Sequence, residues 1–296
     1  MRAGTDVVPM RRMRPLLGTW VEMRVDGPAD RVEAAVDAAF AQIAGVQERM
    51  SCHDPRSALS RINLQAHRSP QQVDAWTWRV LRLALALSRA SGGLFDVTVG
   101  GELVRRGVLP DHGFGAVEPR GGSGAVELLP GRRVRLRRPV VLTLDGIAKG
   151  YAVDRAVRAL RACGVAQGVV NAGGDLRAFG AAAVPLALRD GRGRVRAVGQ
   201  VANAAVASSI VGQSAAQRER FPACLVLPDA AGGVLRPAHR GAGPAVWTVQ
   251  ARHCWKADAL TKVAALAASD RRAACIDRLG GRLLADPAPD RARSAA

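Results

Sequence analysis

The stretch from Asp145 to Asp175 constrains the fold more than any other part of the chain, because it has the order strand end, glycine-flanked turn, helix, strand and glycine turn. Its apolar residues recur at the spacing of one helix face: Ala152, Val153, Ala156, Val157 and Leu160. Gly164 follows where helices commonly end on glycine. The pattern predicts a helix that begins near Lys149 and is followed by a strand.

The turn before this helix is a candidate anion site. A helix N-terminus exposes backbone N–H groups and positive dipole, and Gly146 and Gly150 would let a ligand approach the main chain. The turn is not a Walker A loop, since Lys149 precedes its glycine and no Gly-Lys-Ser/Thr follows. Spacing alone leaves two interpretations open: a phosphate-binding turn, or an ordinary connection to a helix with a capping lysine.

The chain makes almost all of its basic residues arginine. Of 43 Lys plus Arg, only Lys149, Lys256 and Lys262 are lysines. A compact ammonium differs from a guanidinium fork in reach and hydration, so a lysine in such a chain is a candidate for a specific role.

The net charge of +18 raises the possibility of a polyanionic partner such as a nucleic acid. The arginines, however, are spread in ones and twos from end to end, and aromatic residues make up only 4% of the chain. Nucleic-acid readers concentrate charge on one face beside stacking aromatics. We therefore predict no nucleic-acid partner, and a basic nucleic-acid-binding module remains an alternative based on charge alone.

The chain has the composition of a folded protein, with 48% apolar residues. No run approaches the roughly 20 apolar residues of a membrane span, and Met1 to Pro15 lacks the apolar stretch of a secretory signal. This predicts a cytoplasmic protein without a membrane span. We expect a flexible N-terminus (1–15), a single domain (16–285) and a flexible tail (286–296). The five cysteines contain no Cys-x-x-Cys pair, which argues against a zinc site or a disulfide framework.

Periodicity and capping residues predict further elements. They are a first strand at Leu17–Val25, a helix after Asp30, a short helix capped by Ser57, a helix over Trp76–Ser88 after Asp74, strands at 134–136 and 140–144, a hairpin of strands 186–189 and 195–206 around 190–193, and a helix from Trp255 to Leu266.

Two segments of the central stretch resemble the core motif of the ApbE family, the FAD:protein FMN transferases. They are the run Ile147-Ala-Lys-Gly-Tyr-Ala-Val-Asp154 and the turn Asn171-Ala-Gly-Gly-Asp175. The resemblance covers roughly residues 16 to 270 and is thin in 105–130 and 210–245. It implies an α+β fold of the ApbE type, T-fold-like, with mixed sheets and packed helices.

The resemblance also implies a flavin site. Its residues would be Leu17, in place of a family methionine, together with His53, Leu94, Phe95, Asp96, Thr143 and Lys149, which faces the pyrophosphate. Taken without the family, His53 is a solvated loop residue and Asp96 a strand-end carboxylate. Many relatives carry Asp at the position of Thr143, and here only Asp145 could compensate.

The segment Ala257-Asp258-Ala-Leu-Thr261-Lys262 resembles the family's magnesium motif. The resemblance implies Mg²⁺ held by Asp258, the carbonyl of Gly146 and Thr261, with Lys149, Asp258 and Lys262 as catalytic residues. Taken alone, Asp258 is a carboxylate favoured by the helix dipole. Lys262 stands where the family has threonine, and residues four apart share a helix face. Lys262 therefore either assists a retained metal or pairs with Asp258, and we expect the metal to be retained.

The implied reaction is transfer of FMN from FAD to a threonine of an acceptor flavoprotein, with release of AMP. Two alternatives use the same site: an FAD pyrophosphatase and a non-catalytic FAD-binding protein. The second is encouraged by the segment Pro222–Asp229, in which the family's His-His-Ile-x-Asp-Pro sequence is not recognisable.

Overall fold

The computed structural model describes residues 6–190, 194–211 and 245–285. Its strands are β1 Val7–Leu16, β2 Thr19–Pro28, β3 Gln71–Gln72, β4 Val126–Leu129, β5 Arg133–Leu136, β6 Gln167–Ala172, β7 Asp175–Phe179, β8 Val184–Arg189, β9 Val195–Val201, β10 Ala205–Val211, β11 Ala245–Ala251 and β12 Gly281–Ala285. Its α-helices are α1 Val32–Met50, α2 Ala58–Gln65, α3 Ala75–Ala90, α4 Gly100–Arg105, α5 Ala148–Ala162, α6 Cys254–Leu266 and α7 Arg272–Arg278.

Seven strands form one antiparallel sheet in the order β1-β2-β6-β7-β10-β11-β12. A three-stranded sheet, β3-β5-β4, and the hairpin β8-β9 are separate. Helix α1 packs along α5, and α5 packs along α6, which also packs against β10 and β11. Helices thus lie on a mainly antiparallel sheet, and the predicted α+β class is confirmed.

The helices follow the apolar periodicity of the sequence. One stripe of α1 is buried: Val32, Ala35, Val36, Ala39, Phe40, Ile43 and Val46. The predicted caps of α2 and α3 are confirmed, since Ser57 Oγ accepts from Ser60 N at 3.0 Å and Asp74 Oδ1 accepts from Trp76 N at 2.8 Å. The cap predicted at Asp30 for α1 is wrong, because the N-cap residue is Arg31 and no side chain caps the helix.

The N-terminal segment differs from the sequence-based expectation. Residues 1–15 were expected to be flexible, but Val7–Leu16 pairs with β2 in one unbroken antiparallel register. Arg12 and Arg14 of this strand form ion pairs with Asp37 of α1, at 2.9 and 2.7 Å. The adjacent strand β2 and Asp37 of α1 therefore order a segment whose own composition is typical of a charged tail. Residues 1–5 and the predicted tail 286–296 lie outside the described residues.

The segment 140–144 is extended and buried but is not the predicted strand. Only Val140 forms a β-bridge, with Glu118. Further along, Leu142 N donates to Asn63 Oδ1 at 2.8 Å and Thr143 N donates to Val97 O at 2.8 Å. A side chain and a loop thus satisfy the backbone groups that a neighbouring strand would otherwise satisfy.

The predicted hairpin is present as β8 and β9, although its second strand ends at Val201 rather than at residue 206. Asn203 adopts a positive φ of 44° and the chain then enters the large sheet as β10. The turn residues 191–193 lie outside the described residues.

Candidate functional site

Helix α5 begins at Ala148, as predicted, and crosses α6 at Gly150. A Cβ atom at Gly150 would lie 2.3 Å from Cys254 O, so only glycine allows the two helices to approach this closely. Gly150 N donates to Asp258 Oδ2 at 3.1 Å across the crossing. The glycine that spacing suggested for a ligand therefore serves the packing of two helices.

Most of the N–H groups at the start of α5 have protein acceptors. Those of Ile147 and Ala148 donate to Leu144 O at 2.9 and 2.7 Å, and that of Tyr151 donates to Ile147 O at 3.0 Å. With the Gly150 N–H donated to Asp258, little of this N-terminus remains to bind an anion. A phosphate at this turn would depend on side-chain cations, which disfavours the main-chain cradle that the spacing left open.

Asp154 has a role that the sequence analysis missed: it caps the neighbouring helix α6. Its two carboxylate oxygens accept from Cys254 N at 3.1 Å and Trp255 N at 3.0 Å, and Arg177 of β7 pairs with it. The N-cap residue of α6, His253, provides no side-chain cap. The sequence signal for this role of Asp154 was that α6 starts without a capping side chain of its own. This contact fixes α6 relative to α5 and so places Asp258.

Asp258 lies in α6 with 0% of its surface exposed, and both of its carboxylate oxygens are engaged. Oδ2 accepts from Gly150 N, and Oδ1 pairs with Lys262 Nζ, four residues along the same helix. Lys262 Nζ also donates to the main-chain carbonyl of Asp258 at 3.0 Å. The buried charge is therefore compensated by one ammonium and one backbone N–H.

Thr261 is bonded to its own helix and to strand β10. Its hydroxyl donates to Asp258 O at 2.7 Å and shares a hydrogen bond of 2.6 Å with Ser209 Oγ. The side chain is fully buried. The hydroxyl is therefore already hydrogen bonded to two protein oxygens.

A second lysine pair stands at the start of α5. Lys149 Nζ lies 3.1 Å from Asp175 Oδ2, and the Asp175 side chain in β7 is only 3% exposed. Burial and the nearby negative charge of Asp258 raise the pKa of Asp175 to about 6, against the opposing effect of Lys149. The Asp175 carboxylate in turn raises the pKa of Lys149, so this lysine is fully charged at neutral pH.

Gly146 and Phe95 bring the Lys262 stem to the same place. A Cβ atom at Gly146 would lie 3.4 Å from both Lys262 Cε and Phe95 Cε2. At the rim, Thr143 Oγ1 accepts from Asp145 N at 3.4 Å, and His53 and Lys149 lie within electrostatic range of the Asp145 carboxylate. The structure thus brings together residues predicted from four separate segments of the sequence.

Asp96 holds its loop together. Its Oδ1 accepts from Thr98 N at 2.8 Å and Thr98 Oγ1 at 2.7 Å, and its Oδ2 accepts from Arg120 Nε at 2.6 Å. Residues 94–99 form turns, so Asp96 does not end a strand. Its contacts fix the segment that carries Leu94 and Phe95.

Leu17 lies in the turn between β1 and β2, with a positive φ of 56°, and its N–H donates to Gln47 Oε1 at 2.5 Å. Leu17 and Leu94 are both partly buried against the main core. Neither side chain has a polar atom, so each can offer only an apolar surface to a ligand.

The donor set at Asp258 does not fit Mg²⁺. Magnesium requires near-octahedral oxygen ligands at about 2.0–2.1 Å. Both Asp258 oxygens have other partners and the Thr261 hydroxyl is bonded elsewhere. Within 6–190, 194–211 and 245–285, no group of three or more His, Cys, Asp or Glu could hold a metal ion. In this arrangement the predicted ligands Asp258 and Thr261 already have protein partners, and the predicted ligand Gly146 lies against the Lys262 stem.

In the part of the chain that the structure describes, no helix is long and apolar enough to cross a membrane. The segment Pro222–Asp229, in which a family sequence was sought, lies outside the described residues.

Comparison with known proteins agrees with the geometry. The sequence model of the ApbE family matches residues 17–284. A protein of Treponema pallidum named FAD:protein FMN transferase is 28% identical over an alignment of 192 residues, and the match covers 57% of this chain and 51% of that protein. The chain therefore spans about half the length of this curated relative.

Solved structures share the fold. The ApbE protein of Thermotoga maritima superposes with a TM-score of 0.75 at 23% identity, covering 94% of this chain and 93% of that one. The apo flavinyl transferase ApbE of Pseudomonas stutzeri gives 0.72 at 22% identity, covering 92% and 88%. The flavin transferase ApbE of Vibrio cholerae gives 0.71 at 20% identity, covering 95% and 98%.

Proposed function

The chain belongs to the ApbE family, and on that premise we propose that it is an FAD:protein FMN transferase. The substrate would be FAD, and the FMN half would be attached covalently to a threonine hydroxyl of an acceptor flavoprotein, with AMP released. The observation that supports this best is the meeting of Lys149 and Lys262 beside Gly146 and Phe95. Two ammonium groups that both lie within electrostatic range of Asp175 suit a pyrophosphate, which carries negative charge on the oxygens of both phosphates.

The reaction forms one P–O bond and breaks another. The threonine oxygen attacks the FMN-side phosphorus, and the bond from that phosphorus to the bridging oxygen breaks, so that AMP leaves with the bridging oxygen. The hydroxyl proton passes to solvent. The protein's contribution is to position the two reactants and to neutralise charge on the phosphate oxygens. Lys149 and Lys262 would supply the positive charge.

The flavin ring and adenosine would occupy the remaining predicted positions. We propose that Leu17, His53 and Thr143 face the flavin, and that Leu94 and Phe95 face the adenosine. Asp96 would act indirectly, by holding the turn that carries them. No step is assigned to Mg²⁺, because the residues around Asp258 do not fit it.

Intact mass spectrometry tests the proposal. The protein is incubated with FAD and a flavoprotein that carries an acceptor threonine, with the Thr→Ala form of that acceptor as the matched control. We expect a mass gain equal to one FMN minus water on the first acceptor alone, and an equal amount of AMP. Free FMN and AMP without a labelled acceptor would instead indicate an FAD pyrophosphatase. Unchanged FAD would indicate a non-catalytic FAD-binding protein.

A further inference from the structure

We propose that the ammonium of Lys262 is the resident cation of this site, held where a divalent ion would otherwise bind, and that FMN transfer here needs no bound metal. The inference rests on the proposed function for its chemistry, but the claim about cation binding can be tested without it.

The oxygens of Asp258 are already occupied by protein donors. Lys262 Nζ contacts both Asp258 Oδ1 and Asp258 O, which a cation at this position would have to contact. The other carboxylate oxygen is taken by Gly150 N, which belongs to a different helix. A metal ion could bind Asp258 only by expelling the ammonium, and a dication beside a displaced ammonium would experience strong repulsion.

The burial of Asp258 requires a compensating positive charge. Asp258 is fully buried, and a buried carboxylate without a partner is strongly destabilising. Lys262 compensates that charge from the same helix, four residues along. The pair can therefore form as soon as the helix forms. The compensation is thus present before any ligand binds.

The other oxygen groups near Asp258 also have protein partners or lie apart from it. The Thr261 hydroxyl is committed to Asp258 O and Ser209 Oγ. Asp175, the second buried carboxylate, is paired with Lys149. Asp145 is exposed and, among the described residues, does not join the other two in a group that could hold a metal. Asp258 and Asp175 therefore each already have a lysine partner.

Lys262 can still reach a ligand. An ammonium has three N–H donors, and within the described chain Asp258 takes two of them. The side chain is 20% exposed and its stem lies against Gly146, at the start of α5 near Lys149. The third N–H is available to a phosphate oxygen of FAD. A lysine serves as a point charge for phosphate without imposing the ligand geometry of a metal.

The decisive variant is Lys262→Thr, which removes the ammonium and offers a hydroxyl in its place. Binding is measured with Mn²⁺ as a spectroscopic probe, by the loss of its free electron paramagnetic resonance signal. We expect no site in the wild-type protein, one site in Lys262→Thr, and no site in Lys262→Thr combined with Asp258→Asn. Circular dichroism and melting curves establish that each variant is folded. An Asp258-dependent Mn²⁺ site in the wild-type protein, or none in folded Lys262→Thr, would overturn the proposal.

Turnover gives the second readout. With FAD and the acceptor, wild-type turnover should be the same in EDTA as in Mg²⁺. In EDTA, Lys262→Thr should lose on the order of 10²–10³ in kcat, the usual cost of removing a preorganised electrostatic group, and Mg²⁺ should restore part of it. Lys262→Arg should keep metal independence, since it keeps the charge. Loss of wild-type turnover in EDTA would contradict the inference. No product under either condition would contradict the proposed function, while Mn²⁺ binding would still decide the role of Lys262.

Discussion

The two lysine–aspartate pairs of the site are built differently. Lys262 and Asp258 belong to one helix, and the lysine makes two contacts with its partner. Lys149 and Asp175 join a helix to a strand through one contact of 3.1 Å, and Lys149 is more exposed, at 34% against 20% for Lys262. Asp258 also accepts a backbone N–H, whereas Asp175 Oδ2 has no hydrogen bond of good geometry in the described chain.

This difference suggests two functions for chemically identical groups. The local pair fixes one cation in place, so Lys262 is the preorganised charge. The non-local pair is held by one contact, and under the proposed function Lys149 would turn from Asp175 toward a phosphate of FAD. Asp175 would then lose its cation at a position where burial and Asp258 already raise its pKa.

The largest effect on stability is expected at Asp258. Asp258→Ala removes the acceptor of both Lys262 and the Gly150 N–H, and removing one partner of a buried pair costs about 3–5 kcal/mol. Asp175→Ala should cost less, because its partner Lys149 is partly exposed and can reach water. Urea unfolding measures both changes. Asp270→Ala, at a side chain 72% exposed, is the control and should change the free energy of unfolding by no more than about 0.5 kcal/mol. Equal losses at Asp258 and Asp175 would remove the distinction between the pairs.

The second effect concerns turnover at Lys149. Lys149→Ala should lower kcat by about 10²-fold, as removal of a transition-state electrostatic group commonly does, while melting shifts by only a few degrees. Lys256→Ala is the matched control, since Lys256 lies over the ring of Trp255 and is the one lysine outside the site. A large drop in melting temperature with normal turnover per folded molecule would make Lys149 a structural residue.

The smallest effect is a pH dependence of stability. The pKa of Asp175 is raised to about 6 in the folded protein, above its value near 3.9 in an unfolded chain. The folded state therefore binds more protons between these values, and this group's contribution to stability decreases as pH rises from about 4 to about 6. Asp175→Asn should remove that slope. Melting temperatures of both proteins across this range measure the difference, and parallel curves would contradict the assignment.

The local features of the site were predictable from the sequence. The periodicity from Ala152 to Leu160 and Gly164 predicted α5, and the i,i+4 spacing predicted that Lys262 could reach Asp258. These signals depend on residues close together in the chain. The ApbE-type fold followed from the motif between Ile147 and Asp175.

The features that were missed depend on distant partners. Strand β1 is held by Asp37 of α1 in addition to its hairpin partner β2, and Asp154 caps a helix whose start is Cys254. The availability of the predicted metal ligands depends on distant partners in the same way. The sequence does not show that Thr261 is bonded to Ser209 of β10, or that Gly150 takes the second oxygen of Asp258. Only the packing of α6 against α5 and β10 decides whether Asp258 has a free oxygen.

The most direct test of the account is the intact mass of the acceptor flavoprotein after incubation with wild-type protein and FAD, in EDTA and in Mg²⁺ side by side. The account predicts the same gain of one FMN in both, at similar rates, because Lys149 and Lys262 supply the positive charge. A gain in Mg²⁺ alone would contradict the role assigned to Lys262, and no gain in either would contradict the transferase activity.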